Sequence, residues 1–128
     1  MKSSGILVIF LEVVDLTIPS VQFLVVEDED LVRGILDLYL SQAGYVVMVV
    51  GSGASALARL EEESFDLVLT DHKMPGMTGT ELAVVIKTRW PALPVVLLTG
   101  FPPDEPIGAL DLILKKPEDF RILVPAIE

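Results

Sequence analysis

The chain has 128 residues, 19 acidic against 9 basic side chains, a net charge of −10 and no cysteine. That length fits one domain with a core of its own. The missing cysteines exclude a disulfide framework, a thiol nucleophile and a Cys-ligated metal. The acidity argues against nucleic acid, which needs a basic face, and against anionic lipid.

Residues 1–20 read as an apolar N-terminal extension of unknown role, ahead of a domain over 21–128. Its apolar run, 5–11 (GILVIFL), is interrupted by Glu12 and Asp15. It falls far short of the ~20 residues of a membrane span. No small-residue cleavage site of the A-x-A kind follows it, so it is not read as a signal peptide.

From Val21 onward the pattern is regular. Short apolar runs at 23–26, 45–50, 67–69, 95–98 and 110–114 lack polar alternation. Strands buried on both faces of a parallel sheet have this character. Helical periods lie between them. Leu31, Ile35, Leu38 and Tyr39 form one stripe, closed near Gly44. Ala54, Leu57 and Ala58 form a second, and Leu82, Val85, Ile86 and Trp90 a third, capped at Thr80 and ended by Pro91. A last helix is expected through Phe120, Leu123, Val124 and Ile127, distorted by Pro125. Residues 101–109 hold three prolines and leave room only for a short fourth helix. Strands alternating with helices predict right-handed crossovers and a doubly wound α/β sheet.

Ligands of such sheets bind beyond the carboxyl ends of the strands. Those ends carry Glu27-Asp28, Asp71, Thr99-Gly100 and Lys115-Lys116-Pro117. Three clustered carboxylates repel one another unless a cation joins them. With no His or Cys ligand among them, oxygen donors suit Mg²⁺ better than zinc. A lysine beside such a centre marks a phosphoryl site, in which a carboxylate can act as nucleophile.

The segments FLVVEDED (23–30), DLVLTDHKMPGMTGTEL (66–82), LPVVLLTG (93–100) and LILKKP (112–117) resemble, in order, the motifs of the response-regulator receiver domain. This is the phospho-acceptor module of two-component signalling. The resemblance covers about residues 21–124 and implies a five-stranded parallel sheet in the flavodoxin-like order 2-1-3-4-5. It makes Asp71 the phospho-acceptor, loaded by a histidine kinase or a small phosphodonor. Glu27, Asp28, Asp71 and the main-chain carbonyl of Lys73 become the Mg²⁺ ligands. Thr99 becomes the switch hydroxyl and Lys116 the lysine that pairs with the phosphoryl group. Lys115 is the rival to Lys116, which the following proline favours. His72 reads as a surface loop residue, and Met74 and Met77 as packing residues.

Two departures from the family pattern stand out. Ile113 occupies a position where many receivers carry an aromatic that turns inward on activation. Isoleucine is stiff at χ1 and has no polar tip, so it cannot exchange exposure in that way. The short stretch between Thr99 and Lys116 resembles receivers of hybrid sensor kinases and reshapes the common output and dimer face. The length predicts a stand-alone receiver, and the resemblance implies a cytoplasmic one that binds a downstream protein or passes its phosphoryl group to a phosphotransfer domain, with a homodimer left open. It is not expected to be a turnover enzyme, since Lys73 stands where a phosphatase of this type carries its second aspartate. The alternative on the same fold is a non-phosphorylated pseudo-receiver acting as an interaction module.

Overall fold

The computed structural model describes residues 21–100 and 108–115. Five strands, β1 (Gln22–Val26), β2 (Val46–Val50), β3 (Leu67–Asp71), β4 (Val95–Thr99) and β5 (Leu112–Lys115), form one parallel sheet in the order β2-β1-β3-β4-β5. Three helices lie among the described residues: α1 (Asp30–Gln42), α2 (Gly53–Glu62) and α3 (Gly79–Arg89). The expected short fourth helix and last helix fall at 101–107 and 116–128, outside the described residues, as does the extension at 1–20.

Pleating sends alternate strand residues to opposite faces. Phe23 and Val25 of β1, Leu69 of β3 and Val96 and Leu98 of β4 pack with Leu36 and Leu40 of α1. Leu24, Val26, Val68 and Val95 pack on the other face, with Ala56 and Leu60 of α2 and Leu82, Ala83 and Ile86 of α3. Helices on both faces explain why the strands carry apolar runs rather than alternation. Met74 is buried in the second of these clusters and Met77 packs against it, as expected for packing residues.

Several local readings need correction. In α1 the buried residues are Leu36 and Leu40, while Leu31 is 77% exposed and Leu38 also faces solvent. The helix carries two apolar stripes, and the one starting at Val32 faces the sheet. In α2 the core residues are Ala56 and Leu60 rather than Ala54 and Ala58. The cap of α3 is Thr78, not Thr80. Its hydroxyl accepts from the Glu81 N–H at 3.1 Å, and the Glu81 carboxylate accepts from the Thr78 N–H at 3.0 Å. This reciprocal pair satisfies two N–H groups that a helix start leaves open. The Thr78 N–H first, and its hydroxyl lying beside the carboxyl second, hold the Glu81 carboxyl below the usual range, against an upward push from burial and helped by His72.

The strand β5 begins two residues later than the apolar run, because Asp111 is used elsewhere. Its carboxylate accepts from the Val95 N–H at 2.8 Å and pairs with Lys87 Nζ at 2.6 Å. Lys87 also donates to the Leu93 carbonyl at 2.6 Å. The end of α3 and the starts of β4 and β5 are therefore pinned together. Gly44 closes α1 as expected, with φ +98°, a backbone conformation that a side chain would strain.

Candidate functional site at the carboxyl rim

Register places the site. Val26 of β1 pairs with Val50 and Thr70, and Asp71 of β3 pairs with Leu98 of β4. The residues that end or follow these strands, Glu27, Asp28, Asp71 and Thr99, therefore emerge at neighbouring positions on one rim. Each of the carboxylates of Glu27, Asp28 and Asp71 offers an oxygen, and these oxygens all lie within 4.8 Å of one another. Glu27 is only 1% exposed. A charge buried that deeply needs compensation, which sets this group apart from acidic residues gathered on an open surface.

The donor set fits a hard cation. Mg²⁺ binds oxygen at about 2.0–2.1 Å, and ligands on opposite sides of an octahedron then stand about 4 Å apart. Three carboxylate oxygens within 4.8 Å of one another are close enough to share one such ion, which usually keeps several waters as its remaining ligands.

The rim is held by backbone as much as by side chains. The Glu27 N–H continues the ladder to the Val50 carbonyl at 3.0 Å, and the Glu29 N–H donates to the Glu27 carboxylate at 3.2 Å. The Asp71 carboxylate accepts from the His72 N–H at 2.9 Å, and the Asp71 carbonyl accepts from the Thr70 hydroxyl at 2.9 Å. On the far side, Gly79 opens α3 against the end of β3. Its N–H donates to the His72 carbonyl at 2.8 Å. A Cβ at Gly79 would lie 2.1 Å from the Asp71 carbonyl oxygen, so only glycine permits this approach. Gly76, with φ +83°, turns the intervening loop.

Of the residues singled out from sequence, Glu27, Asp28 and Asp71 come together, and Thr99 is buried at the end of β4. Lys73 is exposed in the loop after Asp71. Lys115 pairs in register with Thr99, and Lys116, the next residue, lies outside the described residues. Ile113 sits in β5 opposite Leu97 and is half-buried. His72 is more engaged than a surface loop residue: it is half-buried, and its Nδ1 lies 3.1 Å from the Thr80 hydroxyl.

Arg33 escaped the sequence reading altogether. From α1 its Nη1 donates to the Glu27 carbonyl at 2.8 Å, and its Nη2 pairs with Asp30. A basic residue one turn into the helix that follows an acidic strand end is the only signal the sequence offers for it.

A parallel sheet in the order 2-1-3-4-5, with helices on both faces and an acidic carboxyl rim, defines a CheY-like domain of the flavodoxin topology. A family model for the response regulator receiver domain matches residues 23–128. The chain belongs to that family, the receivers of two-component signalling. It is similar to the response regulator receiver protein CpdR of Brucella abortus, with 40% identity over 84% of this chain and 93% of CpdR. It is similar also to the transcriptional regulatory protein ZraR of Escherichia coli, at 36% identity over 88% of this chain but only 27% of ZraR.

Among solved structures, the response regulator TrrA of Thermotoga maritima in complex with Mg²⁺ and BeF superposes with a TM-score of 0.75. Its identity is 31%, and 80% of this chain and 92% of TrrA are covered. TrrA has also been solved in complex with the histidine kinase ThkA. The chemotaxis protein CheY4 of Vibrio cholerae gives a TM-score of 0.77 at 27% identity, over 85% of this chain and 97% of CheY4. No helix among the described residues is long and apolar enough to cross a membrane.

Proposed function

We propose that this chain is a phospho-acceptor receiver that takes a phosphoryl group from a histidine kinase onto Asp71 and thereby changes its affinity for a partner protein. The observation that carries this reading is the convergence of Asp71 with Asp28 and the buried Glu27 at the carboxyl rim. The TrrA structures, one with Mg²⁺ and BeF and one with a histidine kinase, support it by similarity.

In the transfer, an Asp71 carboxylate oxygen attacks phosphorus and forms the acyl phosphate. The phosphorus–nitrogen bond of the donor phosphohistidine breaks, and the leaving imidazole nitrogen keeps the electron pair and takes up a proton. The His72 N–H holds the acceptor carboxylate in place for that attack. Glu27, Asp28, Asp71 and the main-chain carbonyl of Lys73 are the residues that would hold Mg²⁺. When bound, the ion offsets the charge that gathers on the phosphoryl oxygens. Thr99, buried at the end of β4, is the hydroxyl assigned to the new phosphoryl group, and Lys116 the ammonium that pairs with it. The phosphoryl group adds about −1.5 to −2 charges, so a cation and a lysine are both needed beside three carboxylates.

The chain thus modifies itself and does not turn over an external substrate. This reading carries a cytoplasmic location and a downstream protein or phosphotransfer domain as the recipient of the signal. Acetyl phosphate with Mg²⁺ tests it. Mass spectrometry of the intact wild-type chain should show the gain of one phosphoryl group, and Asp71→Asn should show none. Equal labelling of the variant at the same site refutes the assignment.

A further inference from the structure

The geometry points to Arg33 as a positioning residue for the acidic rim, one that fixes the β1–α1 loop so that Glu27 and Asp28 face Asp71. This inference rests on the reading of that rim as the metal site of a phospho-acceptor.

Two bonds and one close neighbour define the place of the guanidinium. Nη1 donates to the Glu27 carbonyl at 2.8 Å, within the very residue whose carboxylate joins the cluster. Nη2 pairs with Asp30 at the start of α1. On its other side, a Cβ at Gly51, just past the end of β2, would stand only 3.0 Å from Nη1. A side chain at Gly51 would therefore crowd the guanidinium and press on it.

One planar group therefore ties the end of β1 to the first turn of α1 and lies close to the exit of β2. Its side chain is 23% exposed, so most of it is covered by these neighbours. Arginine suits the task because its fork of donors is rigid and permanently charged; lysine offers a single ammonium and cannot bond in two directions with the same geometry. Without the guanidinium, the peptide that links Glu27 to Asp28 loses the donor holding its carbonyl, and the two carboxylates lose their common aim.

The test uses the whole chain and three readouts: Mn²⁺ affinity by electron paramagnetic resonance, amide exchange of Asp28 and Glu29 in metal-free protein, and stability to urea. Arg33→Met is expected to weaken Mn²⁺ binding about tenfold, the usual order for partners that orient a metal ligand. The Asp28 and Glu29 amides should exchange faster before any metal is added. Arg33→Lys, which keeps one donor, should fall between the wild type and Arg33→Met.

Gly51→Val, which never touches the metal, should reproduce the Arg33→Met loss by displacing the guanidinium. The double variant should then bind no more weakly than either single one, because both remove the same restraint. If Arg33→Met does not fold, Arg33→Lys and Gly51→Ala carry the comparison. Mn²⁺ affinities within about twofold of wild type with unchanged amide exchange overturn the inference, as do strictly additive losses in the double variant. A wild-type chain that binds no Mn²⁺ overturns the metal reading of the rim itself. That failure is distinguishable, since it appears before any substitution is made.

Discussion

Replacing Gly79 with alanine sets two physical effects against each other at the back of the acceptor site. Alanine is the better helix former, by up to about 1 kcal/mol in a helix interior and less at a first position such as this. Against that gain, the new methyl group would stand 2.1 Å from the Asp71 carbonyl oxygen and 2.8 Å from a methyl of Leu97. Carbon–oxygen contacts settle near 3.3 Å or more, so α3 and the end of β3 must separate by about 1 Å. Overpacking of that kind costs about 1–3 kcal/mol.

The net loss is about 1–2 kcal/mol, a fall in Tm of roughly 3–8 °C for a domain of this size. The shift also reaches the acceptor, because Gly79 holds the His72 carbonyl and His72 holds the Asp71 carboxylate. A displacement of about 1 Å at a reacting group can cost up to 10²-fold in rate, so labelling by acetyl phosphate should slow by one to two orders.

Thermal unfolding and single-turnover labelling of Gly79→Ala measure both quantities. Gly34→Ala is the comparison: it lies in α1, a Cβ there meets nothing within 4 Å, and the change should stabilise by about 0.5–1 kcal/mol without altering labelling. A Gly79→Ala protein with unchanged Tm and rate would falsify the steric account. A lower Tm with a wild-type rate would show that α3 does not position the acceptor.

Thr78→Ala removes the cap of α3 and should cost about 0.5–2 kcal/mol in urea unfolding, while Thr80→Ala, which leaves the capping pair intact, should cost less. Equal losses would mean that the capping pair does not stabilise the helix start. Burial pushes the Asp111 carboxyl up, but the bond from Lys87, the Val95 N–H and the Lys87 charge together outweigh it and leave it lowered. A carboxyl lowered by folding stabilises above the ordinary aspartate range, and that contribution is lost as pH falls through the lowered value. Asp111→Asn should therefore lose about 1 kcal/mol at pH 7, kept small by the partial exposure of the pair, and the gap to wild type should close in acid. A gap that stays constant between neutral pH and about pH 3 counts against this account.

The sheet was legible in the sequence because burial on both faces leaves strands no room for polar alternation. The order of the strands entered through the motif resemblance, and the pairing of β1 with both β2 and β3 agrees with it. Glu27, Asp28 and Asp71 were legible for the same reason, since parallel strands deliver all their carboxyl ends to one rim. Helix faces were harder. In α1, apolar residues at 31, 32, 35, 36, 38, 39 and 40 support two overlapping stripes, and only the packing of Leu36 and Leu40 against β1 decides between them. Thr78 and Thr80 compete as caps, and the reciprocal bond with Glu81 decides that choice at a spacing of three. Arg33 left only a faint signal, because its partners are a main-chain carbonyl and the neighbourhood of Gly51, which approaches only when β2 lies beside β1. The Asp111–Lys87 pin was hidden likewise, for it joins a helix end to two strand starts that are distant in sequence.

The strand order has a consequence for how the chain is made. β1 is synthesised before its neighbours, yet it lies inside the sheet, and its flanking strands β2 and β3 both follow it. Its ladder toward β3 cannot close until every residue from Glu27 to Asp71 has emerged from the ribosome. At ~5–20 residues per second the delay lasts some seconds. Throughout it Phe23, Leu24, Val25 and Val26, all buried in the finished domain, have only a partial sheet to join. The nascent chain is therefore most exposed to misassociation in its first half, and substitutions that slow the pairing of β1 with β3 should lower the yield of folded protein more than its final stability.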